Sequence, residues 1–260
     1  MSHNDKLQKK ESDAMKPSPF FSILFLFLLF TFGRAQVRVS GYLQSSLYSW
    51  ENLEENQFRD YYQGFQLRVQ PVGSNVYLST YFRLAHRGQP ADWEERFYNF
   101  YLHWNSPHKG LQIRLGRQFL YAGVINGTVD GLLLNFRPSN KVRFKILGGI
   151  PADFQRRLKI RNWDDASMWG GYLTYRVGQQ AKLEASYVRK SRAGNLVWHL
   201  LGTGLSGKIN RNFYYQALLD YNLEKKDYQG FRGRLSYYYN KWLFSTEFNS
   251  QRPRIYEDSY

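Results

Sequence analysis

The feature that most constrains this chain is alternation. Segment after segment between Val37 and Asn249 exchanges apolar for polar residues at successive positions, and none sustains a helical period. Successive side chains of a strand point to opposite faces, so the pattern gives each strand one apolar and one polar face. Thirteen strands are expected: Val37–Tyr48, Tyr61–Gln70, Val76–His86, Phe97–Trp104, Leu111–Phe119, Thr128–Phe136, Val142–Gly149, Met168–Val177, Lys182–Lys190, Leu196–Leu205, Phe213–Tyr221, Phe231–Tyr238 and Trp242–Asn249. Most approach the roughly 9–11 residues with which a tilted strand crosses a bilayer.

The connections fall into two alternating sets. One is short and rich in turn formers: 71–75, 105–109, 138–140, 178–180, 207–211 and 240–241. The other is generally longer and more charged: 51–60, 87–96, 120–127, 151–167, 191–195 and 222–229. A soluble sandwich has no reason to sort its loops this way, whereas a barrel in an outer membrane has short turns on one side and longer loops on the other. The expected fold is therefore all-β, an antiparallel up-and-down transmembrane β-barrel of about 12–14 strands over residues 36–260. An odd count and a tail, Gln251 to Tyr260, without an alternating closing strand lead to the expectation of an incomplete larger barrel, or of one miscounted strand. Mean hydropathy of −0.58 fits a barrel, in which only every second strand residue meets lipid. Aromatic residues make up 18% of the chain, and Tyr and Trp suit a membrane–water boundary.

Residues 1–35 are expected to be an N-terminal extension and export signal. Lys16 precedes the apolar run FFSILFLFLLFTF from Phe20 to Phe32, and Gly33-Arg34-Ala35 places small residues for cleavage after Ala35. The polar stretch 1–14 fits no part of a signal, so translation from Met15 is expected. The chain has no cysteine, which excludes a disulfide scaffold and a thiolate metal site.

The formal charge is +15; residues 1–35 hold five cations and three acids, so +13 belongs to the remainder. Strand phase tells where part of it points. Where Phe65, Leu67 and Val69 face lipid, Arg68 faces inward; the same reasoning turns Arg83, Arg114, Arg143, Lys145, Arg176, Arg232 and Arg234 inward. A charge on the lipid face at mid-membrane would cost about 2–4 kcal/mol, which enforces the choice. An arginine-rich lumen favours anions, since guanidinium stays charged and grips carboxylate or phosphate through two hydrogen bonds. The alternative is a wall whose cations are balanced by acids such as Glu54, Glu55, Asp92, Glu94, Glu95, Asp153, Asp164 and Asp165.

From Leu115 to Leu134 the chain reads LGRQFLYAGVINGTVDGLLL. A strand ending in Gly-Arg-Gln, a Gly-containing loop and Asp-Gly opening the next strand resemble porin-type barrels of the alginate-export kind, with Arg117, Gln118 and Asp130 as the matching positions. The resemblance implies a passive channel with an arginine-rich passage for anionic sugars or similar solutes. The loop departs from that family in lacking a longer insertion and a tryptophan. Arg117 also falls in the apolar phase of its strand, which calls for a place near the rim or a bulge near Gly116.

No cofactor, metal site or enzymatic activity is expected. The histidines have no metal-ligand spacing. His103 is inward-facing, with Ser79 on the neighbouring strand, and is the one hydrolase candidate; no orienting signature accompanies it. No Gly-Lys-Ser/Thr loop binds phosphate, and an export signal argues against nucleic acid as the partner of the basic residues. The expected partners are outer-membrane lipid, lipopolysaccharide and small anionic solutes. The expected function is a diffusion channel; the alternative is a non-conducting structural or adhesive barrel whose outer loops bind a surface partner.

Overall fold

A computed structural model describes residues 36–53, 57–87, 92–107, 110–153, 155–158 and 161–252. The expected export signal, the start at Met15, most of the tail, Glu54, Glu55 and His108 lie outside the described residues. All thirteen strands are present: β1 (Val37–Glu51), β2 (Gln57–Pro71), β3 (Val76–Arg87), β4 (Asp92–Asn105), β5 (Leu111–Ala122), β6 (Ile125–Phe136), β7 (Val142–Pro151), β8 (Ala166–Val177), β9 (Ala181–Arg192), β10 (Asn195–Lys208), β11 (Phe213–Asn222), β12 (Asp227–Tyr239) and β13 (Trp242–Gln251). They form one antiparallel sheet in chain order, with β1 and β13 as edges that do not pair with each other among the described residues.

The strands run further than alternation predicts, chiefly at the end with the longer expected loops. β2 begins at Gln57 and β4 at Asp92, while β5 and β6 extend until only Gly123 and Val124 separate them. Most of the expected long loops are thus strand, and 152–165 is the one connection that stays long. The reason is physical. Alternation is enforced only where a face meets lipid, whereas ladder hydrogen bonds continue past that level whatever the side chains.

Cross-strand register sorts the residues onto two faces. On the outer face large apolar residues stand exposed from edge to edge, among them Leu43, Leu115, Leu132, Phe144, Ile146, Leu183, Leu205, Leu235 and Phe248. A water-soluble monomer rarely exposes so continuous an apolar surface. Outer-face charges such as Arg59, Glu95 and Arg189 stand toward the loop ends of their strands.

The core lies on the other face. Leu133, Leu147, Met168, Val188, Trp198 and Leu200 pack with Leu120, Val124, Ile125 and Val129 of the β5–β6 hairpin. Full burial of such a side chain contributes about 1.5–3 kcal/mol. This cluster occupies the loop-end half of the inner faces of β6–β10 and holds the hairpin against the sheet.

Candidate functional site

The β5–β6 hairpin leaves the sheet partway along its length. β4 and β5 pair from Asn105↔Gln112 only as far as Phe100↔Arg117, although β5 continues to Ala122. At the point of departure Gly116 adopts φ +121, a conformation that other L-residues rarely adopt, and a Cβ there would overlap the carbonyl oxygen of Phe100. Beyond this crease the tip crosses the inner face. The backbone N–H of Val124 donates to Ser186 Oγ of β9 at 3.1 Å. Gly202 of β10 leaves room for the contact, since a Cβ on it would stand 2.6 Å from Val124 Cγ1.

The 155–158 segment lies in the gap left beside β4. Phe97 N–H donates to the carbonyl of Arg156 at 2.8 Å, and the Arg156 guanidinium lies 4.4 Å above the Tyr98 ring. Arg117 clamps this junction. Its Nε and Nη2 donate to Asp130 Oδ1 and Oδ2, each at 2.6 Å, and Nη1 donates to the carbonyls of Arg156 and Arg157 at 3.1 and 2.8 Å. Arg117 is 3% exposed. The bidentate geometry and the extra carbonyls are what a buried ion pair needs to offset desolvation.

This placement corrects the expectation that Arg117 and Asp130 contact solute. Both keep the outer phase of their strands and bind each other. No bulge turns Arg117 inward; the hairpin bends away and the 155–158 segment covers it. Gln118, the third residue of that motif, is inward in phase but buried at 2%, with Nε2 pointing to the Gly131 carbonyl at 3.4 Å.

The other eight predicted residues share the inner face, in two groups. Those on β2–β5 and β12 are engaged. Arg68 and Arg83 lie over the rings of Tyr77 and Tyr62 at 3.7 and 3.8 Å. Arg114 donates from Nε to His103 Nδ1 at 3.0 Å. Arg232 faces Glu247 at 3.8 Å, and Arg234 donates to Ser245 Oγ at 3.2 Å. Arg143, Lys145 and Arg176 on β7 and β8 form the second group. With Arg137, Lys141 and Lys182 they line a cavity of about 550 Å³ at the turn end of the inner face, to which Tyr172 and Tyr121 of the hairpin also contribute. Among the described residues only Lys182 of these six has a carboxylate partner, Glu184.

Two of the acids expected to balance the wall pair at the loop end. Asp153 pairs with Arg161 at 2.7 Å and Glu94 with Arg96 at 3.0 Å, local contacts at the loop end. His103 is spoken for: its ring stacks on Tyr77 at 4.4 Å, Nε2 donates to Asn105 Oδ1 at 2.8 Å, and Nδ1 accepts from Arg114. Ser79 is opposite Tyr101 in the ladder, and no nucleophile bonds to the imidazole. Among the described residues no group of three or more His, Cys, Asp or Glu is arranged to hold a metal ion.

Several residues of the site escape sequence reading. Lys182 and Tyr172 obey the alternation and were within its reach. Arg137 and Lys141 flank a turn, where no phase exists. Tyr121, Ser186 and Gly202 matter only because the hairpin crosses to β9 and β10, a contact between residues more than sixty positions apart in the Ser186 case.

No family model and no curated protein sequence matches this chain. Among solved structures it is similar to OccAB3 of Acinetobacter baumannii, with a TM-score of 0.51 at 9% identity over 83% of this chain and 68% of that one. OccK11 (OpdR) of Pseudomonas aeruginosa gives 0.47 at 13% identity over 82% of this chain, which spans 61% of that protein's length. A mutant of the Rh. blastica porin gives 0.49 at 11% identity, over 85% of this chain and 86% of that one. The thirteen-stranded up-and-down sheet thus has the porin-type fold, and at these identities the likeness is one of fold.

Proposed function

We propose that the chain is an outer-membrane channel for passive diffusion of small anionic solutes. One observation carries the reading: Arg137, Lys141, Arg143, Lys145 and Arg176 gather at the turn end of the inner face with no carboxylate partner among the described residues. Arginines paired to acids or rings form a wall; cations without a carboxylate around open space set up a positive potential that draws anions. The exposed apolar outer face supports a lipid environment, and the porin-type fold supports passage across it. Arg189 stands on the outer face opposite Trp169 and His199, suited to meet anionic lipid headgroups such as lipopolysaccharide phosphates. Planar-bilayer recording across a potassium chloride gradient tests the proposal. A reversal potential on the chloride side is expected; no conductance, or a potassium-side potential, overturns it.

The second reading is a non-conducting structural or adhesive barrel. It draws on the hairpin, whose packing covers the loop-end half of the inner faces of β6–β10. It predicts membrane insertion with heat-modifiable gel mobility but no conductance.

A further inference from the structure

We infer that the turn-end cavity is a retention site for multivalent oxyanions, small solutes bearing two or more phosphate-like charges. The inference deepens the anion-channel reading and rests on its water-accessible inner face. Four features of the cavity support it. First, its cations arrive from separate parts of the fold. Arg137 and Lys141 flank the β6–β7 turn, Arg143 and Lys145 stand two apart on one face of β7, and Arg176 and Lys182 bracket the β8–β9 turn. Charges spread around a space of about 550 Å³ can engage several faces of one ligand at once.

Second, Arg176 stands directly opposite Lys182, whose charge is shared with Glu184, and Arg143 stands one strand away on the same face. Like charges placed opposite each other destabilise a sheet. A monovalent anion would relieve one such contact at a time, whereas a ligand with two or three charges bridges several. Third, three of the cations are guanidinium groups, which bind the oxygens of phosphate in pairs. Fourth, the arginines of β2 and β3 are covered by tyrosine rings, while among the described residues Arg137, Arg143 and Arg176 lie under none and Lys145 alone of these cations has a ring beside it, Tyr172 at 5.4 Å. Tyr121 of the hairpin lines both this cavity and the neighbouring one under the hairpin tip, so a solute held there lies beside the hairpin.

The test is calorimetric titration of the full chain, folded in neutral detergent micelles, with inorganic pyrophosphate, orthophosphate and chloride at constant ionic strength. Pyrophosphate is expected to saturate a single site, about tenfold or more tighter than orthophosphate, with chloride showing no saturation. Arg143→Gln with Arg176→Gln should abolish the saturable phase. Arg59→Gln, which removes a cation from the outer face, should leave it intact. Absence of saturation, or equal weakening by Arg59→Gln, overturns the site. Bilayer recording separates the two readings. Anion-selective conductance that pyrophosphate does not block saturably overturns the site and spares the channel. Saturable binding without any conductance overturns the channel and spares the site.

Discussion

The inner face of β7–β10 is divided between two environments. Toward the loops, Leu147, Met168, Val188 and Leu200 are buried beneath the hairpin; toward the turns, Arg143, Lys145, Arg176 and Lys182 surround open space. β7, β8 and β9 supply both halves with the same side-chain phase. What differs is whether the hairpin covers them. A half that is covered can exclude water and must be apolar, because an unpaired charge there would be costly. A half left open keeps its charges hydrated, and that leaves them available to solutes. The covered half positions the hairpin; in the proposed channel the open half supplies the field.

Four predictions break or sharpen this contrast. The largest concerns the clamp. Arg117→Ala leaves Asp130 with a largely covered carboxylate that has lost its guanidinium and should cost about 3–5 kcal/mol, read as a lower urea midpoint in micelles. Conductance per channel should rise as the hairpin loosens, and a stable variant with unchanged conductance would remove Arg117 from that role. Leu200→Ala should cost about 2–5 kcal/mol by opening a cavity in the covered half. Leu201→Ala, one residue along on the lipid face, should cost clearly less; equal losses would mean that the hairpin does not seal the core.

Gly202→Val drives a side chain into Val124 and should cost about 1–3 kcal/mol while displacing the tip. Since the chain has no cysteine, a single cysteine at Val124 gives a clean reporter, and its labelling by a water-soluble maleimide should speed up in the Gly202→Val background. The smallest stability effect belongs to the open half. Arg143→Gln with Arg176→Gln should leave the urea midpoint within about 0.5 kcal/mol and move the reversal potential toward zero. Arg68→Gln, whose guanidinium rests on Tyr77, should move it less; an equal shift would mean that the whole inner face acts as one diffuse charge.

Much of the fold was legible in the chain. Each of the thirteen strands falls where alternation placed it, and Arg68, Arg83, Arg114, Arg143, Lys145, Arg176, Arg232 and Arg234 share one face as their phases required. Strand ends were less legible, because Glu51, Asp92 and Arg192 carry charges that read as loop although the ladder includes them. The Gly-Arg-Gln and Asp-Gly motifs marked a structural junction, and their residues hold the hairpin to the 155–158 segment. Nothing local to Arg117 distinguishes a guanidinium aimed at solute from one locked to Asp130 and two carbonyls.

Local chemistry by itself determined the strands and their two faces. The pleat alternates side chains whatever lies beyond, and lipid penalises charge at every second position. Tertiary structure decided which inward cations are free. Their partners stand on other strands and on a hairpin that bends at Gly116 to reach Ser186 and Gly202, and such long-range contacts depend on register and packing that no single strand encodes.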